Sequence, residues 1–311
     1  LILKKSAFLF PGQGSQYVGM GNDIYQKYAK VRERYEQAND ILGFNIVELS
    51  FNGIQEKLNQ TYITQPAIFV HSYILFEMLK DIDLLPAMTA GHSLGEYTAL
   101  AAAGCLDFAE ALSLVKLRGE LMQNASDDQK GTMAAVIGLE NDIVENICRE
   151  ISQKEIVGIA NYNSPGQIVL SGSMDGVRLA MQLANDKGAK RVIELQVSGA
   201  FHSPLMGPAL KTFNEELQKV AFNKPSIEFF SNVTAGAVTD PDELKLLLAK
   251  QLSSPVLWMQ TIQQMNKAGA TGYFEVGPGN VLTGLLRRID RNYSVTTVNS
   301  LKQFLKFKEN N

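Results

Sequence analysis

A mixed α/β fold with a mainly parallel sheet is predicted by three features of this sequence. Strand-like and helix-like stretches alternate along most of the chain, a rhythm that places helices on both faces of a parallel sheet. A short strand, Met88-Thr89-Ala90, runs directly into the glycine-flanked turn Gly91-His92-Ser93-Leu94-Gly95, and a helix follows at once. Between residues 129 and 199 the rhythm changes to β-α-β-β-α-β, the ferredoxin-like order. The expected organisation is therefore a large α/β domain built from residues 1–128 and 200–311, with a ferredoxin-like small domain inserted at 129–199.

Taken in order, the chain opens with the strand Ala7–Phe10 and a glycine loop, Pro11–Ser15. Helical patterns cover Asn22–Asp40 and Ala67–Lys80. A helix over Glu96–Ala103 follows the strand-turn unit, and another begins at Asp107, with Glu110 completing a capping box, and runs to about Gln123. The polar tract Asn124–Lys130 reads as a domain boundary. The insert then supplies strand Thr132–Leu139, helix Asn141–Ser152, strands Ile156–Asn161 and Gln167–Ser171 about the turn Asn163–Gly166, helix Met174–Lys187 and strand Lys190–Val197. Afterwards come strand Ile227–Ser231, helix Pro241–Leu252, strand Gly272–Val276, the turn Gly277-Pro278-Gly279 and helix Val281–Arg288. The lysine-rich tail from Lys302 is expected to fray.

Composition narrows the function classes. Hydrophobic residues make up 45% and charged residues 20%, ordinary for a globular protein, and a chain this long buries a large core without staples. Cys105 and Cys148 have no C-x-x-C spacing and read as reduced, packed thiols. The apolar run within Leu1–Phe10 stops too early for a signal peptide, and no stretch reaches the ~18 apolar residues of a membrane helix, so a cytoplasmic protein is expected. A net charge of −3 argues against nucleic acid as the main partner. The three histidines are scattered, and no metal-ligand constellation or G-x-G-x-x-G nucleotide loop is present.

The turn at Ser93 fits G-x-S-x-G between a strand and a helix, the setting of a nucleophile elbow. Glycines allow the sharp turn, and free N–H groups at the helix start favour an oxyanion. A serine needs a base. His92 adjoins Ser93 and diverges from it, and His71 sits in the apolar helix Phe69–Met78 as a packed residue. His202, in Gly199-Ala200-Phe201-His202-Ser203-Pro204 between a strand and a helix, is the candidate base. No acid stands out as its orienting partner.

Arg118 is out of phase with its helix. Glu110, Ser113, Lys116, Glu120 and Gln123 form the polar stripe, whereas Arg118 lies about 200° from Lys116 at 3.6 residues per turn, beside Leu114, Leu117 and Leu121. A buried arginine keeps its charge and needs an anion. That anion is either a structural Asp or Glu, or the carboxylate of a substrate held in a bidentate clamp. With an acyl-transfer serine, the second reading points to a dicarboxylic acyl group.

These residues together resemble the malonyl-CoA:acyl carrier protein transacylases and the related polyketide synthase acyltransferase domains. The resemblance runs over nearly the whole chain. Its marks are Phe10-Pro11-Gly12-Gln13-Gly14-Ser15-Gln16, Gly91-His92-Ser93-Leu94-Gly95-Glu96, Arg118, Asn163-Ser164-Pro165-Gly166-Gln167, Gly199-Ala200-Phe201-His202-Ser203 and Glu275-Val276-Gly277-Pro278-Gly279. It implies a hydrolase-like large domain, Ser93 as nucleophile, His202 as base, backbone N–H groups of Gln13 and Leu94 as oxyanion hole, and Arg118 as the malonyl clamp. Gln251, in Lys250-Gln251-Leu252-Ser253-Ser254-Pro255, would orient the histidine through an oxygen; Asn163 would belong to the substrate-binding set; and Phe201 would crowd an α-methyl group. The implied substrates are malonyl-CoA and an acyl carrier protein, with no cofactor beyond the coenzyme A thioester, and a monomer is expected. Carrier proteins are acidic, so basic residues are expected at the docking face; candidates are Lys187, Lys190 and Arg191 on the insert and Arg287, Arg288 and Arg291 near the late helix. An acyl hydrolase with the same serine and histidine, and a catalytically silent carrier-docking module, are the alternatives; Arg118 weighs against the first and the intact Ser93, His202 and Arg118 against the second.

Overall fold

The structure, a computed structural model, describes residues 5–310; the start of the Leu1–Phe10 segment, residues 1–4, lies outside them. Two sheets organise the chain. The first has six strands: β1 (Ser6–Phe10), β2 (Met88–Gly91), β7 (Glu228–Phe230), β8 (Ala237–Val238), β9 (Gly272–Val276) and β10 (Val295–Val298), in the order β10-β9-β1-β2-β7-β8. All its pairings are parallel except β7 with β8. The central strand β1 is fully buried, as a strand covered by helices on both faces must be. The second sheet is antiparallel: β3 (Gly131–Ile137), β4 (Val157–Ser164), β5 (Gln167–Ser173) and β6 (Arg191–Glu194), in the order β4-β5-β3-β6. Helices Asn141–Ile151 and Met174–Asp186 connect its strands and bury Val144, Ile147, Val177 and Ala180 with Ile168 and Leu170 in a core separate from those of the first sheet.

Register explains where the site forms. Phe10 pairs with Gly91 and Ala90 with Phe230, so β1, β2 and β7 end level with one another. Their following loops share one rim, the usual place for ligands in an open parallel sheet. A bridge from Asn161 of β4 to Val256 brings the second sheet to the same rim.

Several expected boundaries shift. The Asp107 capping box is present, yet its helix, Phe108–Asp128, runs straight through the polar tract expected to be a boundary; Ala125 and Ser126 stay buried one turn after Met122 and keep its inner face continuous. The pattern over Asn22–Asp40 splits at the extended residue Tyr28 into Asn22–Lys27 and Ala29–Leu42. The tail does not fray: Leu301–Asn310 is a helix held by buried Phe304, whose ring meets Tyr28 edge-on at 6.4 Å. Among the described residues, no helix is long and apolar enough to cross a membrane, and no three His, Cys, Asp or Glu side chains gather as metal ligands.

Candidate active site

Ser93 sits in the left-handed region, φ 50°, between β2 and the helix Gly95–Ala102. Such a turn is strained for a side chain and survives only where its surroundings fix it. Packing does so here. A Cβ on Gly91 would fall 1.8 Å from the Gly95 carbonyl carbon, and one on Gly95 would fall 2.0 Å from the Phe10 oxygen. Side chains satisfy both peptide groups of the serine: Asn232 Oδ1 accepts from Ser93 N at 2.7 Å, and Gln251 Nε2 donates to Ser93 O at 2.9 Å.

His202 Nε2 lies 2.8 Å from Ser93 Oγ. Its Nδ1 faces the carbonyl oxygens of Gln251, at 2.8 Å, and Ser254, at 3.2 Å. Two acceptors require the proton on Nδ1, which leaves the Nε2 lone pair to receive the serine hydroxyl proton. Among the described residues, no carboxylate orients this ring. The nearer acceptor is the Gln251 carbonyl at the C-terminal end of the helix Pro241–Gln251, where the negative end of the dipole collects; it also takes a long backbone bond from Ser254 N at 3.4 Å. Burial, reinforced by the nearby Arg118 cation, pushes the His202 pKa down to about 3, so the ring is a neutral base at ordinary pH.

Arg118 is buried, at 1% exposure. Its Nη1 donates to Gln65 Oε1 at 2.7 Å, and its Nη2 donates to Ser93 Oγ and Gln251 Oε1, each at 3.0 Å. Tyr97 lies beneath the guanidinium, 5.4 Å from ring centroid to carbon. Among the described residues Arg118 forms no ion pair with a carboxylate; the nearby acid, Glu96, reaches it only across the Gln251 amide. Neutral amides therefore hold a full buried charge beside the serine.

A cavity of about 290 Å3 opens over these groups. Gln13, Leu94, Arg118, Phe201 and His202 line it on one side, and Asn161, Leu195, Gln196 and Val197 from the second sheet and its exit on the other. The Gln13 and Leu94 N–H groups donate in none of the turn or cap hydrogen bonds among the described residues, which leaves two amides for an incoming anion. Asn163 does not line the cavity. It stands behind it, with Oδ1 2.8 Å from His92 Nε2, while Asn161 lines the wall. His92 also lines the cavity, but its ring packs edge-on to Trp258 at 5.4 Å and its Nε2 meets Asn163, whereas His202 meets the Ser93 hydroxyl. His71 is buried away from the site, its pKa pushed down to about 4 by that burial.

Sequence reasoning missed Gln65 and Asn232. Gln65 had a weak signal, an amide immediately before Pro66 within an apolar helix; Asn232 had none beyond its place just after β7.

The chain matches the model of the acyl transferase domain over residues 7–302. A malonyl CoA-acyl carrier protein transacylase of Haemophilus influenzae is 42% identical over 304 residues, 97% of each chain. The chain belongs to the malonyl-CoA:acyl carrier protein transacylases. The Bacillus subtilis transacylase is 40% identical, covering 95% of this chain and 94% of its own. Among solved structures, the acyl carrier protein S-malonyltransferase of Vibrio cholerae superposes with a TM-score of 0.94 at 42% identity, over 97% of this chain and 99% of that one. A transacylase solved in complex with its type II polyketide synthase acyl carrier protein gives 0.95 at 37% identity, over 99% and 100%.

Proposed function

We propose that this transacylase moves malonyl from coenzyme A to the phosphopantetheine thiol of an acyl carrier protein in two steps, through a covalent ester on Ser93. The observation that carries this reading is Arg118: a buried cation without a carboxylate partner, its Nη2 3.0 Å from Ser93 Oγ. In the first step the malonyl carboxylate meets Arg118, which places the thioester carbonyl over the serine. The Ser93 proton passes to His202 Nε2 as Oγ attacks. The tetrahedral oxyanion takes the Gln13 and Leu94 N–H groups, each such donor contributing about 3 kcal/mol to lowering the barrier. The C–S bond breaks, and the coenzyme A sulfur leaves with the proton from His202. In the second step the carrier thiol gives its proton to His202 and attacks the acyl-serine, the C–Oγ bond breaks, and Oγ leaves with that proton from His202. Gln251, through its backbone oxygen, keeps His202 in the productive tautomer.

Phe201, buried on the cavity wall, would crowd a branched acyl group; one such contact sets a preference of about 1–3 kcal/mol. Asn163 serves this reading by holding His92 and the elbow rather than by meeting substrate. The two sheets correspond to a hydrolase-like part, 1–128 and 200–311, and a ferredoxin-like insert, 129–199, with the cavity between them. For the carrier, Lys187, Lys190, Arg191, Arg287 and Arg288 form one docking strip. All are exposed, and Arg288 Nη1 donates to Gln167 Oε1, which ties the late helix to the strand row Gln167–Ile137–Arg191.

The test is intact mass after mixing with malonyl-CoA. The wild type should gain one malonyl group, Ser93→Ala none, and Arg118→Ala should load acetyl in preference to malonyl. Unimpaired malonyl loading by Arg118→Ala would overturn the clamp.

A further inference from the structure

We propose that Glu96 is a positioning residue for malonyl transfer: its carboxylate fixes the Gln251 side-chain amide and, through it, the Arg118 guanidinium beside Ser93. The proposal rests on the Arg118 clamp just described. Glu96 lies in the first turn of the helix behind the elbow and is 2% exposed. The mechanism uses the backbone oxygen of Gln251 and leaves its side chain without a task. That side chain joins three groups: Nε2 donates to Glu96 Oε2 and to Ser93 O, and Oε1 accepts from Arg118 Nη2.

An amide fits this place in two orientations. The flipped one would aim an NH2 group at the guanidinium, donor against donor, and a carbonyl at the Ser93 oxygen. In its ionised form, which prevails above about pH 7, the Glu96 carboxylate only accepts and so selects the orientation that presents Oε1 to Arg118. Its other oxygen accepts from Asn232 N at 2.8 Å, and the Asn232 side chain in turn holds Ser93 N and donates to Gly91 O at 2.6 Å. One carboxylate therefore supports two arms, one reaching the clamp and one the elbow. Gln65 holds the other end of the guanidinium independently at 2.7 Å, so losing the Gln251 arm misaligns the clamp without releasing it.

Glu96→Gln keeps the shape but offers one acceptor oxygen where two N–H groups arrive. Loading of Ser93 from malonyl-CoA and from acetyl-CoA should be compared by kcat/KM. Glu96→Gln should lower the malonyl value on the order of 10- to 100-fold and the acetyl value far less, since misplacement mainly harms the carboxylate-bearing acyl group. Gln251→Ala, which keeps the backbone carbonyl, should do the same, and the double variant should lower the malonyl-to-acetyl ratio no further than Gln251→Ala alone, since the Asn232 arm serves both acyl groups alike. A wild-type malonyl-to-acetyl ratio in Glu96→Gln, or an additive further drop of that ratio in the double variant, overturns the proposal. If Glu96→Gln does not fold, Gln251→Ala decides alone: a wild-type ratio there overturns it. Arg118→Ala separates the two claims. A wild-type ratio in that variant removes the clamp itself, whereas loss there with the ratio intact in the other variants removes only the role of Glu96.

Discussion

Ser93 and His202 are held by opposite means. Both are non-glycine residues at positive φ, 50° and 57°, yet the serine turn is locked by close backbone contact in addition to its side-chain hydrogen bonds, and the histidine turn by hydrogen bonds. Around Ser93, glycine backbones touch so closely that a single methyl group has no room. Around His202, Ser203 Oγ donates to Ala200 O at 2.6 Å and accepts from Leu205 N at 3.2 Å, and the ring itself is tied to carbonyls of Gln251 and Ser254. The difference teaches that Ser93 is built into close-packed backbone, whereas the His202 ring is docked beside it by carbonyls 49 and 52 residues away.

Paired substitutions test that contrast most strongly. His202→Ala should reduce acylation of Ser93 on the order of 10^4-fold or more, as loss of a general base does, while shifting the melting temperature by only a few degrees. Gly91→Ala should lose fold and activity together, because the added carbon overlaps the Gly95 backbone; destabilisation of about 4 kcal/mol or more is expected. Thermal unfolding and acylation rates measured on the two variants decide it. A stable, inactive Gly91→Ala would place the elbow outside the folding core.

The same contrast explains what was legible in the sequence. The elbow declares itself because its cause is local: Gly91 and Gly95 stand beside the serine they accommodate. Arg118 was legible through helical phase alone. The orienting partner of His202 was not, because it is a backbone carbonyl 49 residues away whose side-chain identity is irrelevant to the bond, and only the family resemblance pointed to Gln251. Asn163 and Asn161 were beyond counting for another reason: β4 shifts register between Ile159 and Asn161 and again between Tyr162 and Ser164, so simple alternation does not tell which amide meets the cavity. Asn232 and Gln65 entered the site from other elements, and nothing local marks a polar residue whose partners lie across the molecule. The tail was misread because its lysines hide the apolar side that carries Phe304.

A smaller effect separates the two regions by pH. Burial raises the Glu96 pKa behind the elbow to about 7 and lowers that of His202 to about 3. Between its unfolded value of 4.5 and about 7, folded Glu96 keeps a proton that the unfolded chain has lost, so its contribution to stability falls as pH rises through that window. His202 acts in the opposite sense: below its ordinary value of 6.5 the unfolded chain takes up a proton that the folded one refuses, and stability is lost as pH falls. Glu96→Gln should therefore gain stability relative to wild type, by up to about 3 kcal/mol, on going from pH 4.5 to pH 8. Denaturant unfolding at several pH values measures this; parallel profiles for the two proteins would mean that Glu96 titrates normally in the fold.

The smallest effect concerns the basic strip at the outer end of the second sheet. Arg191 pairs with Ile137, Ile137 pairs with Gln167, and Gln167 takes the Arg288 hydrogen bond, so the residue that Arg288 binds lies roughly two strand spacings, ~10 Å, from Arg191. That is about one Debye length at 0.1 M salt, and an acidic carrier would feel both clusters at once. Arg191→Glu and Arg288→Glu should each raise KM for the carrier protein a few-fold, leave KM for malonyl-CoA unchanged, and lose most of their effect in high salt. On the proposal that both charges face one partner, the double reversal should exceed either single one. If only one reversal matters, the carrier touches a single cluster and the strip is not one surface; if both raise KM for malonyl-CoA as well, the charges act on the pocket rather than on docking.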